Sequence, residues 1–111
     1  MVRPTAFEIT EQTNGETHLS SIVGELDLST IKVLARHVDT KLGENPTTLT
    51  LDLTDLTFMD STGLRLLIDL HNRSRREGWK LTLIPSKHEA ANTVFRLTGA
   101  DTALPFEGPP S

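Results

Sequence analysis

The feature that most constrains the fold is a strand–helix–strand run between residues 48 and 84. Residues 48–53, TLTLDL, alternate leucine with polar residues, the period-two pattern of a strand with one buried face. A second extended piece, 56–59, leads into a helical pattern, and residues 80–84, KLTLI, read as another strand. Strands joined by a helix usually pair in parallel, because the helix must cross back over the sheet. The run therefore predicts an α/β domain.

A hairpin precedes this run. Residues 6–12 and 17–23 read as strands, and Gly24 is expected to end the second one. Asn14-Gly15 between them is a strong hairpin signal, because glycine accepts the positive φ of a type I′ turn. A hairpin supplies antiparallel pairing only, so the whole chain predicts a mixed sheet of four to five strands with helices packed mainly on one face.

Three helices are predicted from apolar residues at helical spacing. Ser29 or Thr30 is expected to cap the first, Asp60 to Thr62 open the second, and the S-x-x-E capping box at 86–89 opens the third. Gly43, Gly78 and Gly99 follow their last turns. The expected buried positions are Ile31, Leu34, Ala35, Val38 and Leu42, then Leu64, Leu67, Ile68 and His71, then Ala90 or Ala91, Val94, Phe95 and Leu97.

Length suits one domain spanning residues 1–111, with a core over about 6–106 and a flexible tail over 107–111. Residues 103–106, ALPF, are expected to form a short strand or a docked tail.

Composition excludes several classes of protein. The chain has no cysteine, and no run reaches the roughly 20 apolar residues of a membrane span. The start, MVRPTAFEIT, lacks the apolar centre of a signal peptide, so a cytoplasmic protein is expected. A net charge of −4 argues against direct binding of nucleic acid, which selects basic faces. Residues 65–80 are nevertheless basic, which indicates a solvated basic helix face.

The candidate site is the junction at residues 58–67, FMDSTGLRLL. Asp60, Ser61 and Thr62 all have side chains that can cap a helix, although one suffices. Gly63 follows, at a cost of about 1 kcal/mol relative to alanine inside a helix. A glycine here is expected to keep the surface open for the backbone of a partner. The junction is therefore either a helix cap with more capping side chains than it needs or a site of interaction.

Catalysis and metal binding find little support at this junction. Ser61 lacks the first glycine of the G-x-S-x-G nucleophile elbow, and the sequence positions no histidine as its base. The four histidines, His18, His37, His71 and His88, have no metal-ligand spacing. No glycine-rich phosphate loop occurs. We therefore predict no catalytic residue, no metal ligand and no cofactor.

A second carboxylate stands at a similar place. Asp27, in GELDL, comes after the second strand and before the first helix, as Asp60 does before the second helix. Its simplest role is a cap or a favourable charge on the helix dipole. If both helices start at the same sheet edge, Asp27 and Asp60 form one acidic rim.

Three segments taken together resemble the STAS domain, and more narrowly the bacterial anti-sigma factor antagonists. They are residues 24–30, GELDLST, residues 51–64, LDLTDLTFMDSTGL, and the strand 80–84. The similarity extends from the first hairpin to Gly99. The D-S-T-G segment is fairly specific, whereas GELDL alone is weak.

The resemblance implies a binding module and not an enzyme. Its partner is a GHKL-type serine kinase that acts as an anti-sigma factor, and binding that kinase frees a sigma factor. Phosphorylation of the motif serine, here Ser61, ends the binding, and Thr62 takes a position that is usually serine in relatives. The implied partner-binding residues are Glu25, Asp27, Ser29, Asp60, Ser61, Thr62, Gly63 and Arg65.

Three alternatives stay open. The first is a STAS subunit of a transport assembly that works without phosphorylation, although Ser61 is retained. The second is a subunit of a stress-sensing assembly, which usually carries an additional N-terminal domain. The third is an enzyme acting on a small ligand or a nucleotide, which no group of residues supports.

Overall fold

The structure, a computed structural model, describes residues 6–107. Five strands and four helices follow one another in an order close to the predicted one. They are β1 (Glu8–Asn14), β2 (Thr17–Leu26), α1 (Ile31–Leu42), β3 (Thr48–Asp52), β4 (Leu56–Met59), α2 (Ser61–Glu77), β5 (Lys80–Ile84), α3 (Glu89–Thr98) and α4 (Ala100–Ala103). The sequence did not predict α4, which follows directly after the glycine that ends α3.

The sheet is mixed, as predicted. β1 pairs antiparallel with β2, while β2 with β3 and β3 with β5 pair in parallel. β4 also pairs in parallel with β2, but it contacts only the last three residues of β2. One long strand therefore pairs on one side with β3 along its first half and with β4 at its end.

Gly24 makes this change of partner possible. The prediction that Gly24 ends the strand is wrong, because β2 continues to Leu26 with a register shift between Gly24 and Glu25. Gly24 has a φ of 109°, and an added Cβ would lie 3.1 Å from both the Ala6 carbonyl oxygen and the Phe7 Cα. Glycine is needed here for both its backbone angle and its size.

The hairpin turn is shifted by one residue from the prediction. Asn14 pairs with Thr17 inside the ladder, so Gly15 and Glu16 form the two-residue loop. Gly15 has a φ of 63°, whereas Glu16 has no positive φ. A positive φ at the first loop position alone is the pattern of a type II′ turn and not of the predicted type I′.

The core lies on one face of the sheet, beneath the helices. Alternate residues of β2, β3 and β5 are buried, and they meet the inner faces of α1, α2 and α3. In α2 the buried face runs through Gly63, Leu64, Leu67, Leu70 and Ser74, so the predicted burial of Leu64 and Leu67 is confirmed. Ile68, predicted to be inside, is 38% exposed, and His71 is only half-buried. The true face is therefore rotated from the predicted one, which omitted Leu70.

The third helix also differs from its prediction. The capping box at 86–89 does not form, because α3 begins at Glu89 with His88 at the N-cap position. Ser86 is buried instead, and its hydroxyl donates to the Leu56 carbonyl oxygen at 2.6 Å. Leu97 was predicted to be buried but is 82% exposed. Ala91 and Phe95 hold this helix on the core.

The chain after α4 docks on the sheet edge. Phe106 forms an isolated parallel bridge with Leu83, and its ring packs edge-on against Phe95 with centroids 4.8 Å apart. The alternative of a docked tail over 103–106 is thus the correct one. Of the predicted flexible tail, residues 108–111 lie outside the described residues. Across residues 6–107, no helix has the length and apolar character to span a membrane.

Candidate partner-binding site

The site lies where β2 and β4 end side by side. Leu26 and Met59 are paired in the parallel ladder, and the Asp60 N–H donates to the Leu26 carbonyl oxygen at 3.3 Å. The residues that follow these two strands, Asp27 and Asp60, therefore emerge at the same edge of the sheet. The acidic rim was predicted on the condition that both helices start at the same sheet edge, and the topology meets this condition.

Asp60 caps helix α2. Its backbone is extended, and its Oδ1 accepts hydrogen bonds from the N–H of Thr62 at 2.9 Å and of Gly63 at 3.3 Å. These N–H groups have no partner within the helix, so the carboxylate satisfies two of the free donors at the helix start. The capping function is thus filled by Asp60 alone.

Ser61 is consequently left over. It is the first residue of α2, it is exposed, and its hydroxyl makes no hydrogen bond with any residue in the described part of the chain. Thr62 beside it is half-buried. Of the two adjacent hydroxyl residues, Ser61 is the more accessible to a second protein.

Gly63 faces inward. It is buried, and a Cβ at this position would lie 2.7 Å from Met59 Cγ and 2.9 Å from both the Cγ and the carbonyl oxygen of Leu26. The prediction that Gly63 keeps the surface open for a partner's backbone is wrong. Its lack of a side chain instead lets the first turn of α2 lie against the end of β2, and this contact helps to position Ser61.

Asp27 organises the other strand–helix connection. Its Oδ1 accepts hydrogen bonds from the Ser29 N–H at 2.9 Å and from the Ser29 hydroxyl at 2.6 Å. The bond from the Ser29 hydroxyl is the main reason that the pKa of Asp27 is lowered, and the Ser29 N–H and Thr30 add to it. Thr30 occupies the N-cap position of α1 without a side-chain cap bond, and its hydroxyl donates to the Glu25 carbonyl oxygen at 2.7 Å. Of the two predicted residues, Thr30 is thus the N-cap residue, but neither Thr30 nor Ser29 forms the predicted side-chain cap.

The remaining predicted residues lie around this edge. Glu25 is half-buried and is the ladder partner of Phe58. Arg65 is exposed on α2, one turn after Ser61, and forms no ion pair with any residue between 6 and 107. The start of α2 thus carries an exposed cation one turn after Ser61.

Sequence reasoning missed two apolar residues at this edge. Leu28, in the loop after Asp27, is 74% exposed, and Phe58, just before the Met59–Asp60 step, is 40% exposed. Leu28 has a sequence signal, since an apolar residue between two polar ones in a short loop has no strand or helix face to join. Phe58 had none, because the extended run LTFM does not show which of its residues face inward.

A serine–histidine pair lies elsewhere and tests the enzyme alternative. The Ser20 hydroxyl and His37 Nε2 are 2.7 Å apart, and Glu11 approaches the same nitrogen at 3.8 Å. Ser20 is fully buried, and burial lowers the pKa of His37. A catalytic triad needs an accessible serine and an acid on the opposite ring nitrogen. The pair therefore joins α1 to the sheet and has no triad geometry. No cluster of possible metal ligands occurs among residues 6–107.

The comparison that decides the family is a match of residues 8–107 to the family model of the STAS domain. The chain belongs to the STAS domain family. It is also similar to the anti-sigma-F factor antagonist RsfB of Mycobacterium tuberculosis, with 33% identity over 67 residues. That match covers 60% of this chain and 55% of RsfB, so it spans little more than half of the relative.

Solved structures share the fold. A crystal structure of an anti-sigma factor antagonist from Mycobacterium paratuberculosis superposes with a TM-score of 0.80 at 22% identity, covering 96% of this chain and 89% of that one. Unphosphorylated SpoIIAA gives 0.71 at 21% identity over 93% and 89%. Phosphorylated SpoIIAA of Bacillus gives 0.65 at 23% identity over 93% and 92%. The STAS fold predicted for this chain is confirmed.

These findings bear on the predicted class of protein. RsfB and SpoIIAA are each named as anti-sigma factor antagonists, and the family match places this chain among STAS domains.

Proposed function

We propose that this chain is a cytoplasmic anti-sigma factor antagonist acting as a single STAS domain. It binds an anti-sigma factor of the GHKL kinase type and so frees a sigma factor, and phosphorylation of Ser61 ends the binding. Similarity to RsfB and to the antagonist structures supports the first part of this proposal. SpoIIAA, which has the same fold, is known in unphosphorylated and phosphorylated forms.

One observation carries the assignment of Ser61. Its hydroxyl is exposed and makes no hydrogen bond with a described residue, because Asp60 already caps the helix. A kinase can therefore reach the Ser61 oxygen without breaking a bond that the fold needs. Ser29 differs, since its hydroxyl donates to Asp27 at 2.6 Å.

Phosphorylation acts on the docking surface and not on the fold. A phosphate adds about −1.5 to −2 charges and three acceptor oxygens. At Ser61 it stands next to the Asp60 carboxylate, which already uses the N–H groups of Thr62 and Gly63. The phosphate must lose bound water when a partner docks, which costs free energy. The neighbouring Asp60 carboxylate also repels its negative charge. A loss of about 3 kcal/mol weakens binding more than a hundredfold.

The apolar residues supply the attraction that phosphorylation opposes. Leu28 and Phe58 expose apolar surface at the edge where Ser61 lies, and burying such surface favours association. Arg65 adds a charge that can pair with an acidic group of the kinase. The proposed contact surface thus combines the exposed apolar residues Leu28 and Phe58 with the charged residues Asp27, Asp60 and Arg65.

The test uses the full chain, ATP and the purified GHKL-type kinases encoded in the same genome. Phosphopeptide mapping should find the added phosphate on Ser61, and titration calorimetry should detect a complex that Ser61→Asp weakens more than a hundredfold. Ser61→Ala should bind the kinase and resist release by ATP.

Ser29→Ala is the matched control, because it removes a serine hydroxyl from the neighbouring junction. Its phosphate should still be found on Ser61. The switch is refuted if every kinase leaves Ser61 unmodified and Ser61→Asp binds as well as the unchanged chain. Phosphate on Ser29 in place of Ser61 would contradict the assignment of the residue.

A further inference from the structure

A concave surface lies along helix α2, on the side that faces α4. It has a volume of about 360 Å³, at the small end of the range for ligand pockets. One wall is a stripe of α2 that begins one turn after Ser61, and the other is the corner where α3 meets α4. The lining side chains are Leu64, Ile68, His71, Asn72, Arg75, Thr98, Ala100, Ala103 and Leu104, with Gly99 at the corner.

The α2 wall changes character along its length. Leu64 and Ile68 are apolar, while His71, Asn72 and Arg75 are polar or charged. The stripe from residue 64 to residue 75 is about 16 Å long at 1.5 Å per residue. A ligand with an apolar part and a polar end can match both halves at once.

His71 lines the cavity, and one of its ring nitrogens is an unsatisfied polar atom. Its Nδ1 is buried and has no hydrogen-bond partner among residues 6–107. A buried polar atom without a partner lowers stability, so a ligand that reaches Nδ1 when the ring turns toward the cavity recovers that loss. When Nδ1 carries the proton, its natural partner is an acceptor such as a carboxylate oxygen.

Arg75 adds a positive charge at the same end. It forms no ion pair with any residue of the described chain, unlike Arg73 two residues earlier, which bonds to Asp39 at 2.7 Å and Glu77 at 3.0 Å. No aspartate or glutamate lines the cavity. The charge of Arg75 is therefore available to an anion, and a guanidinium binds a carboxylate through two parallel hydrogen bonds.

We propose that this cavity binds a small monocarboxylate with a short hydrocarbon tail. The carboxylate contacts Arg75 and His71, and the tail lies on Leu64, Ile68 and the small residues of α4. This site is separate from the proposed kinase contact and does not depend on phosphorylation of Ser61. The sequence pattern indicated that the basic face of this helix is solvated. The proposed site gives part of that face a specific role.

The test is a titration of the full-length ¹⁵N-labelled chain with octanoate, followed by amide NMR shifts. Octylammonium, with the same tail and the opposite charge, is the ligand control. Octanoate should move the amides of Ile68, Ala100 and Ala103 in a saturable way, and octylammonium should not. Absence of saturable shifts, or equal shifts with octylammonium, would overturn the proposal.

Variants separate the site from general detergent-like binding. Arg75→Gln should weaken octanoate binding at least about tenfold, because it removes the positive charge and the two parallel hydrogen bonds of the guanidinium. Arg76→Gln is the matched control, because Arg76 is exposed on the same helix but does not line the cavity. His71→Phe keeps a ring and removes Nδ1. It should also weaken octanoate binding, and it should not lower the temperature of thermal unfolding. Equal effects of Arg75→Gln and Arg76→Gln would refute the site.

Discussion

The two strand–helix connections at the end of the sheet look alike in sequence and differ in structure. Each has an aspartate directly after a strand, followed within two residues by a serine. Asp60 caps α2 through the N–H groups of the first turn. Asp27 instead folds its own loop through Ser29, and α1 starts later, at Ile31, without a side-chain cap.

The difference determines which serine is available to a partner. At the first connection, the Ser29 hydroxyl is bound to Asp27, so the serine is part of the loop structure. At the second, the carboxylate bonds only to backbone, and the Ser61 hydroxyl stays unbound within the described chain. An aspartate can therefore either hold a neighbouring serine or leave it exposed, according to whether the helix starts at the next residue.

The largest expected effect comes from the contact that joins α2 to β2. Gly63→Ala should lower the free energy of unfolding by about 1–3 kcal/mol, because its Cβ meets Met59 and the Leu26 backbone. In an open helix position the same change would stabilise by up to about 1 kcal/mol. The sign of the change, measured by urea unfolding, thus distinguishes a packed glycine from an open one.

Ser61→Ala is the control for that measurement. Ser61 is exposed and its hydroxyl is unbound within residues 6–107, so the change should stay within about 0.5 kcal/mol. A stabilised Gly63→Ala variant would mean that α2 does not lie against β2 as described.

The next effect compares the two aspartates directly. Asp60→Ala should cost about 1 kcal/mol, because it removes the cap of α2, and Asp60→Asn should restore most of the loss. Asp27→Ala should cost less, since Thr30 still accepts from the Asp27 N–H at 3.0 Å and donates to the Glu25 carbonyl oxygen. Equal losses on chemical unfolding would contradict the proposed division of roles.

Period and chain order predicted much of this arrangement. The alternating leucines of β3 and β5 predict strands with one buried face. The helix between these two strands predicts that they pair in parallel. The exchange of partners along β2 was beyond prediction, because the sequence shows a glycine but not the Ala6–Phe7 backbone that crowds it. Part of the face of α2 was misjudged for a related reason: Ile68 and Leu70 are both apolar, and the sequence does not show the close packing of Gly63 on Leu26.

The site shows the same limit. The sequence placed Asp27 and Asp60 at two helix starts, and the ladder between Leu26 and Met59 brings those starts together. It gave no way to tell which hydroxyl would be bound, since a short Asp–Ser spacing fits a loop turn and a helix cap equally well.

The smallest effect concerns the pKa of Asp27. This pKa is lowered mainly by the Ser29 hydroxyl, with a smaller contribution from the Ser29 N–H. Ser29→Ala should therefore raise the Asp27 pKa part of the way toward its ordinary value of about 3.9, because the N–H bond remains. A carboxyl with a lowered pKa adds stability above its unfolded pKa and loses it as pH falls through the folded value. A ¹³C NMR titration of the carboxyl should show the upward shift in Ser29→Ala and none in Ser61→Ala. An unchanged Asp27 pKa in Ser29→Ala would mean that the Ser29 hydroxyl is as free as that of Ser61, and the contrast between the two connections would fail.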